Sequence, residues 1–352
     1  MKAARIYGIR DIRVEECPIP ELKTPNDVIL KVKAAGFCGS DISRYAKLGP
    51  HTVGAIFGHE FSGEVVQIGQ NVSSVKVGDG VAVCPTTPCF TCEFCKQGQY
   101  SRCEKLLVLG AKDDGGFAEY VRLNDRSVLK LPVGLDFETA ACVEPACVAL
   151  HGLYRTKIQS GDTVAVLGVG SIGLFSVQCA KILGASKVIA IDIFDEKLAI
   201  AKQLGADFAI NAKEVNLTKA FTELTDEKGV NIAVESAGTP VTSAQVLSLA
   251  KKGGTVLFMG IPYGDVFAPR EHFEKIVRNE LTILGSWNGI SGPYPGKEWN
   301  TILHFMKKGQ IKVKPMITHR ISLDQISDTF EKVYRREEFS GKVMVLPEAK
   351  DC

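Results

Sequence analysis

TVAVLGVGSIG, residues 163–173, is an apolar run that breaks abruptly into the three glycines Gly168, Gly170 and Gly173. The run predicts a buried β-strand, and its G-x-G-x-x-G spacing is the fingerprint of a turn that cradles a dinucleotide. Gly168 permits a tight turn, Gly170 lets the backbone approach a pyrophosphate, and Gly173 lets the next helix pack closely on its strand. An ordinary tight turn is the alternative interpretation.

The residues beyond the glycines favour the nucleotide interpretation. A helix that opens with Ser171 and Ile172 would point its N-terminus at the phosphates. A second β-run, 187–191, ends in Asp192, where an acid accepts hydrogen bonds from an adenosine ribose. No arginine immediately follows Asp192 to neutralise a 2′-phosphate, and Lys197 is interpreted as a solvated helix lysine, with a phosphate contact as the alternative. The predicted cofactor is therefore NAD.

Composition favours a small-molecule enzyme. The 352 residues include 42 basic and 40 acidic side chains, and the net charge of +2 gives no support for binding nucleic acid or an anionic membrane. The first 16 residues lack an apolar signal core, and the most apolar run, 164–180, fits a strand and a helix better than a bilayer span. We therefore expect a cytoplasmic protein, in which eleven cysteines indicate metal or redox chemistry rather than disulfides.

The chain divides into a β-rich part and a βαβ part. Residues 1 to about 135 predict short antiparallel, barrel-like strands, for example 27–33 and 63–68, and helical signals begin near Glu138. From Asp162 the pattern predicts a parallel sheet with crossover helices at 196–204 and 244–251. Its six strands are expected near 163–168, 187–192, 208–211, 231–235, 255–260 and 281–286. The tail after Trp287 predicts two helices and a strand, at 298–308, 323–335 and 342–346.

Four cysteines lie close together in a loop rich in proline and glycine: Cys89, Cys92, Cys95 and Cys103. Tetrahedral zinc is bound by four thiolates, and spacings of two residues let one tight turn aim neighbouring sulfurs at a single point. Iron–sulfur ligation and unliganded structural cysteines are the alternatives. We favour zinc in a closed structural site, because all four ligands are local and nothing catalytic accompanies them.

Cys38, His59 and Glu144 form a more dispersed set of potential ligands. Three protein ligands would leave a fourth position open, as a catalytic zinc requires. Each also has an ordinary interpretation: a buried small residue, a core histidine and an acid at a helix N-terminus. Spacing alone does not join them.

In order along the chain, GFCGSD, GHEFSG, the four-cysteine loop, VEP and the glycine fingerprint resemble the zinc-dependent medium-chain alcohol and polyol dehydrogenases. This resemblance implies an α/β protein: a GroES-like catalytic domain from residues 1–152 and 287–352, around an inserted Rossmann domain, 153–286, with a six-stranded parallel sheet. PTTPCFTCEFC, DGGFAEY and GSWNGISGPYPGKEW are most similar to the branch that oxidises polyol phosphates of the galactitol 1-phosphate type. Sorbitol, threonine and butanediol dehydrogenases share the earlier motifs.

The same resemblance implies a ligand set. Catalytic zinc would be held by Cys38, His59 and Glu144, with Glu60 as an alternative or transient ligand and Asp41 as a partner that orients His59. Together with the four-cysteine site, the chain would bind two zinc ions. Zinc would act as a Lewis acid on a substrate hydroxyl whose carbon gives hydride to NAD.

Four further residues complete the expected site. Ser40 stands where the family has the hydroxyl that passes the substrate proton outward, and Ser43 stands where some members end this relay with a histidine. Arg44 and Lys297 are candidate contacts of a substrate phosphate, because a buried dianion requires cations or N–H donors.

The expected partner is a polyol phosphate that becomes a ketose phosphate of the keto-tagatose 6-phosphate type. An unphosphorylated polyol of the sorbitol or butanediol type is the alternative, and a catalytically silent binding protein is a further one. The strand at 281–285 comes last in the nucleotide domain. In this family such an edge pairs across a twofold axis, which implies a homodimer or homotetramer.

Overall fold

The computed structural model describes residues 1–349, which form two compact units. One unit comprises Met1–Glu144 together with the chain from Ile290 onward, and the other is Pro145–Gly289. The first boundary between the units lies eight residues before the one expected after residue 152. The second lies three residues beyond the one expected after residue 286. None of the helices within residues 1–349 is long and apolar enough to cross a membrane.

The first unit is built mainly from antiparallel strands. Before residue 145 they are Lys2–Gly8 (β1), Asp11–Glu16 (β2), Asp27–Gly36 (β3), Ala55–Ile56 (β4), Glu60–Ile68 (β5), Gly80–Val83 (β6), Thr86–Thr87 (β7), Leu107–Val108 (β8), Tyr120–Asn124 (β9) and Val128–Lys130 (β10). The helices that start in this part of the chain are Gly39–Ser43 (α1), Glu93–Lys96 (α2), Phe137–Ala141 (α3) and Val143–Arg155 (α4). A π-helical turn, Arg44–Leu48, continues α1.

Pro145–Gly289 alternates strands and helices. The strands are Thr163–Leu167 (β11), Lys187–Asp192 (β12), Phe208–Asn211 (β13), Val230–Glu235 (β14), Ala250–Phe258 (β15) and Thr282–Gly285 (β16). The helices are Ser171–Ile182 (α5), Asp195–Gln203 (α6), Leu217–Leu224 (α7), Pro240–Gln245 (α8) and Arg270–Arg278 (α9). The chain then completes the first unit with Lys297–Lys307 (α10), Ile317–Ile321 (β17), Ile326–Arg335 (α11) and Lys342–Val345 (β18).

The parallel sheet predicted from the sequence is confirmed. Its six strands run in the order β13-β12-β11-β14-β15-β16, with every neighbouring pair parallel. Numbered from its first strand this order is 3-2-1-4-5-6, the order of doubly wound nucleotide-binding sheets. The apolar runs that predicted β11 and β12 are buried on both faces, as parallel strands covered by helices must be.

The first unit's larger sheet has seven strands, in the order β10-β6-β5-β3-β18-β17 with β9 also paired to β3. Strand β3 lies at its centre, and its residues are almost continuously buried. The tail strand β18 pairs antiparallel with β3, so the end of the chain becomes part of the same sheet as residues 27–68. This pairing brings Lys342, at the start of β18, close to Glu60, at the start of β5, and both residues belong to the candidate site described below.

One predicted helix is wrong beyond its first two residues. The pattern at 244–251 predicts a crossover helix, but α8 ends at Gln245, a 3-10 turn follows at Val246–Ser248, and β15 begins at Ala250. Ala250 pairs with Val230 of β14. Sheet pairing therefore overrides the local helical periodicity, as tertiary contacts commonly do.

Candidate functional site

The sulfur atoms of the four-cysteine loop converge on one point. Cys89 Sγ lies 3.9 Å from Cys95 Sγ, and Cys92 Sγ lies 4.0 Å from Cys103 Sγ. Four sulfurs bound to one ion at about 2.3 Å in a tetrahedron lie roughly 3.8 Å apart, whereas a disulfide bond is about 2.0 Å long. None of the ten cysteines in residues 1–349 forms a disulfide. The spacing therefore fits a single tetrahedral metal ion.

Backbone and hydroxyl donors are aimed at these sulfurs. The N–H of Cys92 donates to Cys89 Sγ at 3.3 Å, the hydroxyl of Thr91 donates to the same sulfur at 3.5 Å, and the N–H of Cys89 donates to Cys103 Sγ at 3.2 Å. The Thr91 donors, with the N–H of Cys92, lower the pKa of Cys89 to about 5. These donors thus stabilise the thiolate of Cys89, the form that binds metal, whereas burial raises the pKa of Cys95 to about 12.

A second convergence joins Cys38, His59 and Glu60, whose potential ligand atoms all lie within 4.8 Å of one another. Cys38 follows the end of β3 and His59 directly precedes β5. Antiparallel pairing of these strands sets Gly36 opposite Glu60, which brings the two turns together. Residues separated by 21 positions in sequence therefore meet because of sheet register rather than local spacing.

Two neighbouring side chains orient the ligands of this cluster. Asp41 Oδ1 lies 3.4 Å from Nδ1 of His59, and both side chains are nearly buried. Nδ1 has no hydrogen-bond partner of good geometry among residues 1–349. The hydroxyl of Ser40 donates to Cys38 Sγ at 3.3 Å. A carboxylate behind an imidazole is the usual arrangement for fixing a metal-binding histidine.

Glu60 is paired with a buried lysine. Lys342 at the start of β18 donates from Nζ to Glu60 Oε2 and, at 2.9 Å, to the carbonyl oxygen of Phe37. The two side chains are 0% and 2% exposed. Because a buried charge requires a partner, this pair fixes one oxygen of Glu60 beside the cluster.

Glu144 lies near the cluster but outside the set of mutually close ligand atoms in the described residues. It is the second residue of α4. The surrounding protein desolvates its carboxyl group and, with the charge of Glu60 adding to this, raises the pKa of Glu144 to about 7, although His59 opposes the shift. The structure therefore brings together Cys38, His59 and Glu60, and leaves Glu144 as a neighbour.

The cluster fits a divalent cation. It offers a sulfur, an imidazole nitrogen and carboxylate oxygens, which is the donor set of catalytic zinc sites. Burial opposes a charged His59, yet Asp41 and Cys38 outweigh this and hold the pKa of His59 well above its ordinary value. These surroundings favour positive charge at this point.

The glycine-rich turn fits a pyrophosphate. Gly168 has a φ of +89°, and a Cβ on Gly173 would lie 2.0 Å from the carbonyl oxygen of Gly168. Apart from Gly170 itself and its two chain neighbours, no residue among 1–349 has an atom within 4 Å of the place where a Cβ on Gly170 would stand. Each fingerprint glycine thus has the role expected of it: a turn, an open approach to the backbone and close helix packing. Ser171 and Ile172 begin α5 directly after this turn.

Asp192 is fixed at the carboxyl end of β12 by backbone donors. Its Oδ2 accepts from the N–H of Val169 at 2.8 Å, and its Oδ1 accepts from Ile193 and Phe194 at 2.7 and 3.2 Å. The carboxylate is therefore tied to the glycine-rich turn. Lys197 lies with Nζ 5.0 Å from the ring centroid of Phe194.

The remaining predicted residues lie in the first unit. The hydroxyl of Ser43 donates to the carbonyl oxygen of Gly39 at 3.1 Å, and Arg44 Nη1 donates to that of Gly49 at 3.0 Å. Lys297 is exposed at the first position of α10. The structure gives no contact that joins Arg44 to Lys297.

Lys342 and Glu235 are among the buried charged residues that the sequence analysis did not single out. Lys342 opens a strand that was predicted, and the signal that could have identified it is a lysine at the edge of an apolar run. Glu235 likewise ends the predicted fourth strand of the parallel sheet, at the carboxyl edge where nucleotide sites form.

Two family models match the chain. The alcohol dehydrogenase GroES-like domain matches residues 24–133, and the zinc-binding dehydrogenase model matches residues 171–308. The first match contains the Cys38 cluster and the four-cysteine loop, and the second contains the helix that begins at the glycine-rich turn.

Similar proteins cover almost the whole chain. Galactitol 1-phosphate 5-dehydrogenase of Escherichia coli (strain K12) is 37% identical over 336 residues, 96% of this chain and 97% of that protein. Sorbitol dehydrogenase of Bacillus subtilis (strain 168) is 34% identical over 352 residues, 99% of this chain and 97% of that protein. The crystal structure of galactitol-1-phosphate dehydrogenase from Escherichia coli superposes with a TM-score of 0.94 at 36% identity, covering 99% of this chain and 100% of that one.

Proposed function

This chain belongs to the zinc-binding dehydrogenase family, and we propose that it oxidises a secondary hydroxyl of a polyol phosphate of the galactitol 1-phosphate type, with NAD as hydride acceptor. The family's enzymes are oxidoreductases that use zinc and a nicotinamide dinucleotide, NAD or NADP. Relatives of the polyol dehydrogenase type span the chain. The reaction class is therefore that of a zinc-dependent alcohol or polyol dehydrogenase.

The observation that carries the proposal is the convergence of Cys38, His59 and Glu60, with the Ser40 hydroxyl on the sulfur. We assign catalytic zinc to Cys38, His59 and Glu144, with Glu60 as the alternative ligand, and structural zinc to the four-cysteine loop. Zinc supplies a Lewis acid that lowers the pKa of an alcohol hydroxyl, and nicotinamide supplies the hydride acceptor.

The chain's own residues handle the proton. Ser40 is the second residue of α1, and its hydroxyl lies beside the sulfur of Cys38. At this position the hydroxyl receives the proton of the substrate hydroxyl. Asp41 holds His59 from behind. Ser43, whose hydroxyl donates to Gly39, offers no imidazole to extend the relay, so water carries the proton onward.

Arg44 is our first candidate for the substrate phosphate. It lies four residues after Ser40 on a continuous helical path, which is about 6 Å along the helix axis and on the same face. In the substrate that the name galactitol 1-phosphate 5-dehydrogenase implies, carbon 1 carries the phosphate and carbon 5 is oxidised. Four carbon–carbon bonds separate these two carbons, which is a comparable span. Lys297, exposed at the start of α10, is the second candidate.

Asp192 supports NAD rather than NADP. Its carboxylate is fixed by three backbone N–H groups at the end of β12, where it accepts from a ribose hydroxyl and repels a 2′-phosphate. Lys197 lies over the ring of Phe194. No contact among residues 1–349 directs its ammonium group towards the place where a 2′-phosphate would lie.

A second copy of this chain is the proposed partner. Strand β16 is the edge of the parallel sheet, and three of its four residues are exposed. Ile283 on this strand is 41% exposed, and Phe273 and Val277 on α9 are 58% and 72% exposed. An open apolar strand edge pairs readily with another strand, so we expect a homodimer or homotetramer. Light scattering coupled to size exclusion measures the subunit number.

Steady-state kinetics with matched substrates tests the proposal. We expect kcat/KM for galactitol 1-phosphate to exceed that for galactitol and for sorbitol by at least about tenfold, and NAD to be preferred to NADP. Equal efficiency with free galactitol or sorbitol would instead support the unphosphorylated-polyol alternative, which the sorbitol dehydrogenase relative favours. No turnover with any polyol would indicate a silent member of the family.

A further inference from the structure

Glu235, the last residue of β14, is a fully buried carboxylate in the nucleotide-binding unit. Oε1 accepts from the N–H groups of Ala237 and Gly238 at 3.0 and 2.9 Å and from the hydroxyl of Thr242 at 2.7 Å. Oε2 is buried without a hydrogen-bond partner among residues 1–349. Burial of an acid with one unsatisfied oxygen is costly, which points to a role beyond packing.

The backbone that Glu235 holds forms a wall of the glycine-rich turn. Ser236 donates from its N–H to the carbonyl oxygen of Leu167 at 3.0 Å and from its hydroxyl to that of Gly168 at 2.7 Å. A Cβ on Gly168 would lie 2.6 Å from the nitrogen of Ala237. The segment after β14 therefore packs directly on the first glycine of the fingerprint.

The other side of the carboxylate faces the segment after β15. The N–H groups of Met259 and Gly260 donate to the carbonyl oxygen of Glu235 at 2.9 and 3.1 Å. A Cβ on Gly260 would lie 2.4 Å from Glu235 Oε2. One carboxyl group thus lies between two segments at the carboxyl end of the sheet, the edge at which nucleotides bind in such folds.

We propose that Glu235 is a positioning residue for the dinucleotide: its carboxylate holds the segment after β14 and packs against Gly260 in the segment after β15, so that the Gly168–Gly173 turn is pre-organised for the pyrophosphate. The proposal rests on the NAD site assigned above, and it does not depend on which polyol is oxidised. A loop already held in its binding conformation loses less entropy when the ligand binds. Loss of the carboxylate should therefore weaken dinucleotide binding more than it slows the chemical step.

The chain offers a matched control on the same strand. Asn231, near the start of β14, accepts from the N–H and hydroxyl of Thr163 at 3.1 and 2.9 Å and donates to Asp162 at 2.6 Å. Its contacts therefore tie β14 to β11 at the amino end of the sheet, away from the glycines. Asn231→Ala removes a comparable set of hydrogen bonds without touching the glycine-rich turn.

The test measures NADH affinity by fluorescence titration and thermal unfolding for Glu235→Ala, Glu235→Gln, Thr242→Val and Asn231→Ala. We expect Glu235→Ala to raise the Kd for NADH by about tenfold or more, since bonds to a carboxylate are among the stronger ones. Glu235→Gln keeps an acceptor oxygen for the two N–H groups and should restore most of the affinity. Asn231→Ala should lower the Tm while leaving the Kd within about twofold of the wild-type value.

Three results would overturn the proposal. The first is wild-type NADH affinity in Glu235→Ala, and the second is an equal loss of affinity in Asn231→Ala, which would reveal a general effect of stability. Thr242→Val removes one donor to the carboxylate and should weaken NADH binding severalfold, so if Glu235→Ala does not fold, unchanged affinity in Thr242→Val would be the third. Failure of the proposed substrate would appear separately, as wild-type protein that binds NADH but does not turn over polyol phosphates.

Discussion

The two cysteine-containing clusters of the first unit differ in how the chain builds them. The four-cysteine loop uses four identical ligands within 15 residues, and its own backbone N–H groups stabilise the sulfurs. The Cys38 cluster uses three different ligand types brought together by the pairing of β3 with β5. Four thiolates complete the coordination of a tetrahedral ion, whereas the mixed cluster includes a histidine backed by Asp41 and lies beside the Ser40 hydroxyl. Local spacing therefore builds the first cluster and tertiary pairing builds the second, and we propose a structural role for the first and a catalytic role for the second.

His59→Ala should give the largest effect on activity. Loss of the imidazole removes a ligand of the proposed catalytic zinc, and we expect kcat/KM to fall by more than about a hundredfold, beyond the range typical of residues that only support a ligand. NADH affinity should stay unchanged, because the proposed nucleotide site lies in the other unit. Activity assays paired with NADH titration check both expectations, and substantial residual turnover would remove His59 from the catalytic assignment.

Cys95→Ala should instead act on folding. Its sulfur is one of the four that converge, so its loss should release the ion that holds the loop and lower the free energy of unfolding by several kcal/mol. Bound zinc should fall from two ions to one per chain. Metal analysis and thermal unfolding measure these changes. A stable variant that retains two zinc ions would contradict the closed-site interpretation.

Lys342→Met tests whether the mixed cluster also contributes to stability. It leaves the Glu60 carboxylate buried without its partner, which typically costs about 3–5 kcal/mol. Chemical denaturation measures this loss. The double variant Lys342→Met/Glu60→Gln should recover much of the stability, because no unpaired charge then remains. If the double variant is as unstable as the single one, the pair is not the source of the effect.

Arg44→Met should produce the smallest change, confined to the phosphorylated substrate. We expect KM for galactitol 1-phosphate to rise by about tenfold, while kinetics with free galactitol stay nearly constant. Lys297→Met provides the comparison for the second candidate cation. An unchanged KM in both variants would place the phosphate elsewhere.

The sequence predicted the features that depend on short-range spacing. The four cysteines lie within a few tens of residues of one another, and so do the fingerprint glycines and Asp192. The residue types typical of turns and strands are therefore sufficient to identify these sites. Cys38 and His59 were linked only through family resemblance, because no local pattern reveals that β3 and β5 align them. The parallel nucleotide-binding sheet followed from the alternation of strands and helices, whereas the GroES-like domain was implied by the family resemblance, and this fold class is confirmed.

The features that escaped prediction depend on long-range pairing. Lys342 lies 282 residues from Glu60 and reaches it only because β18 joins the sheet beside β3. Glu235 gains its role from segments that follow two different strands. Ala250 was expected to be helical because its pairing with Val230 is invisible in the local sequence. In each case the structure around the residue depends on a partner that is distant in the sequence, so the local sequence does not reveal it.

Graded removal of zinc by a chelator, with activity, bound zinc and thermal unfolding followed on the same samples, tests the contrast between the two clusters most directly. The open site should release its ion first, so activity should disappear with the first zinc lost per chain while the Tm stays close to that of the intact protein. Removal of the second zinc should then lower the Tm sharply. Full activity after loss of one zinc, or a collapse of the Tm that accompanies the loss of activity, would contradict the assignment of separate structural and catalytic roles.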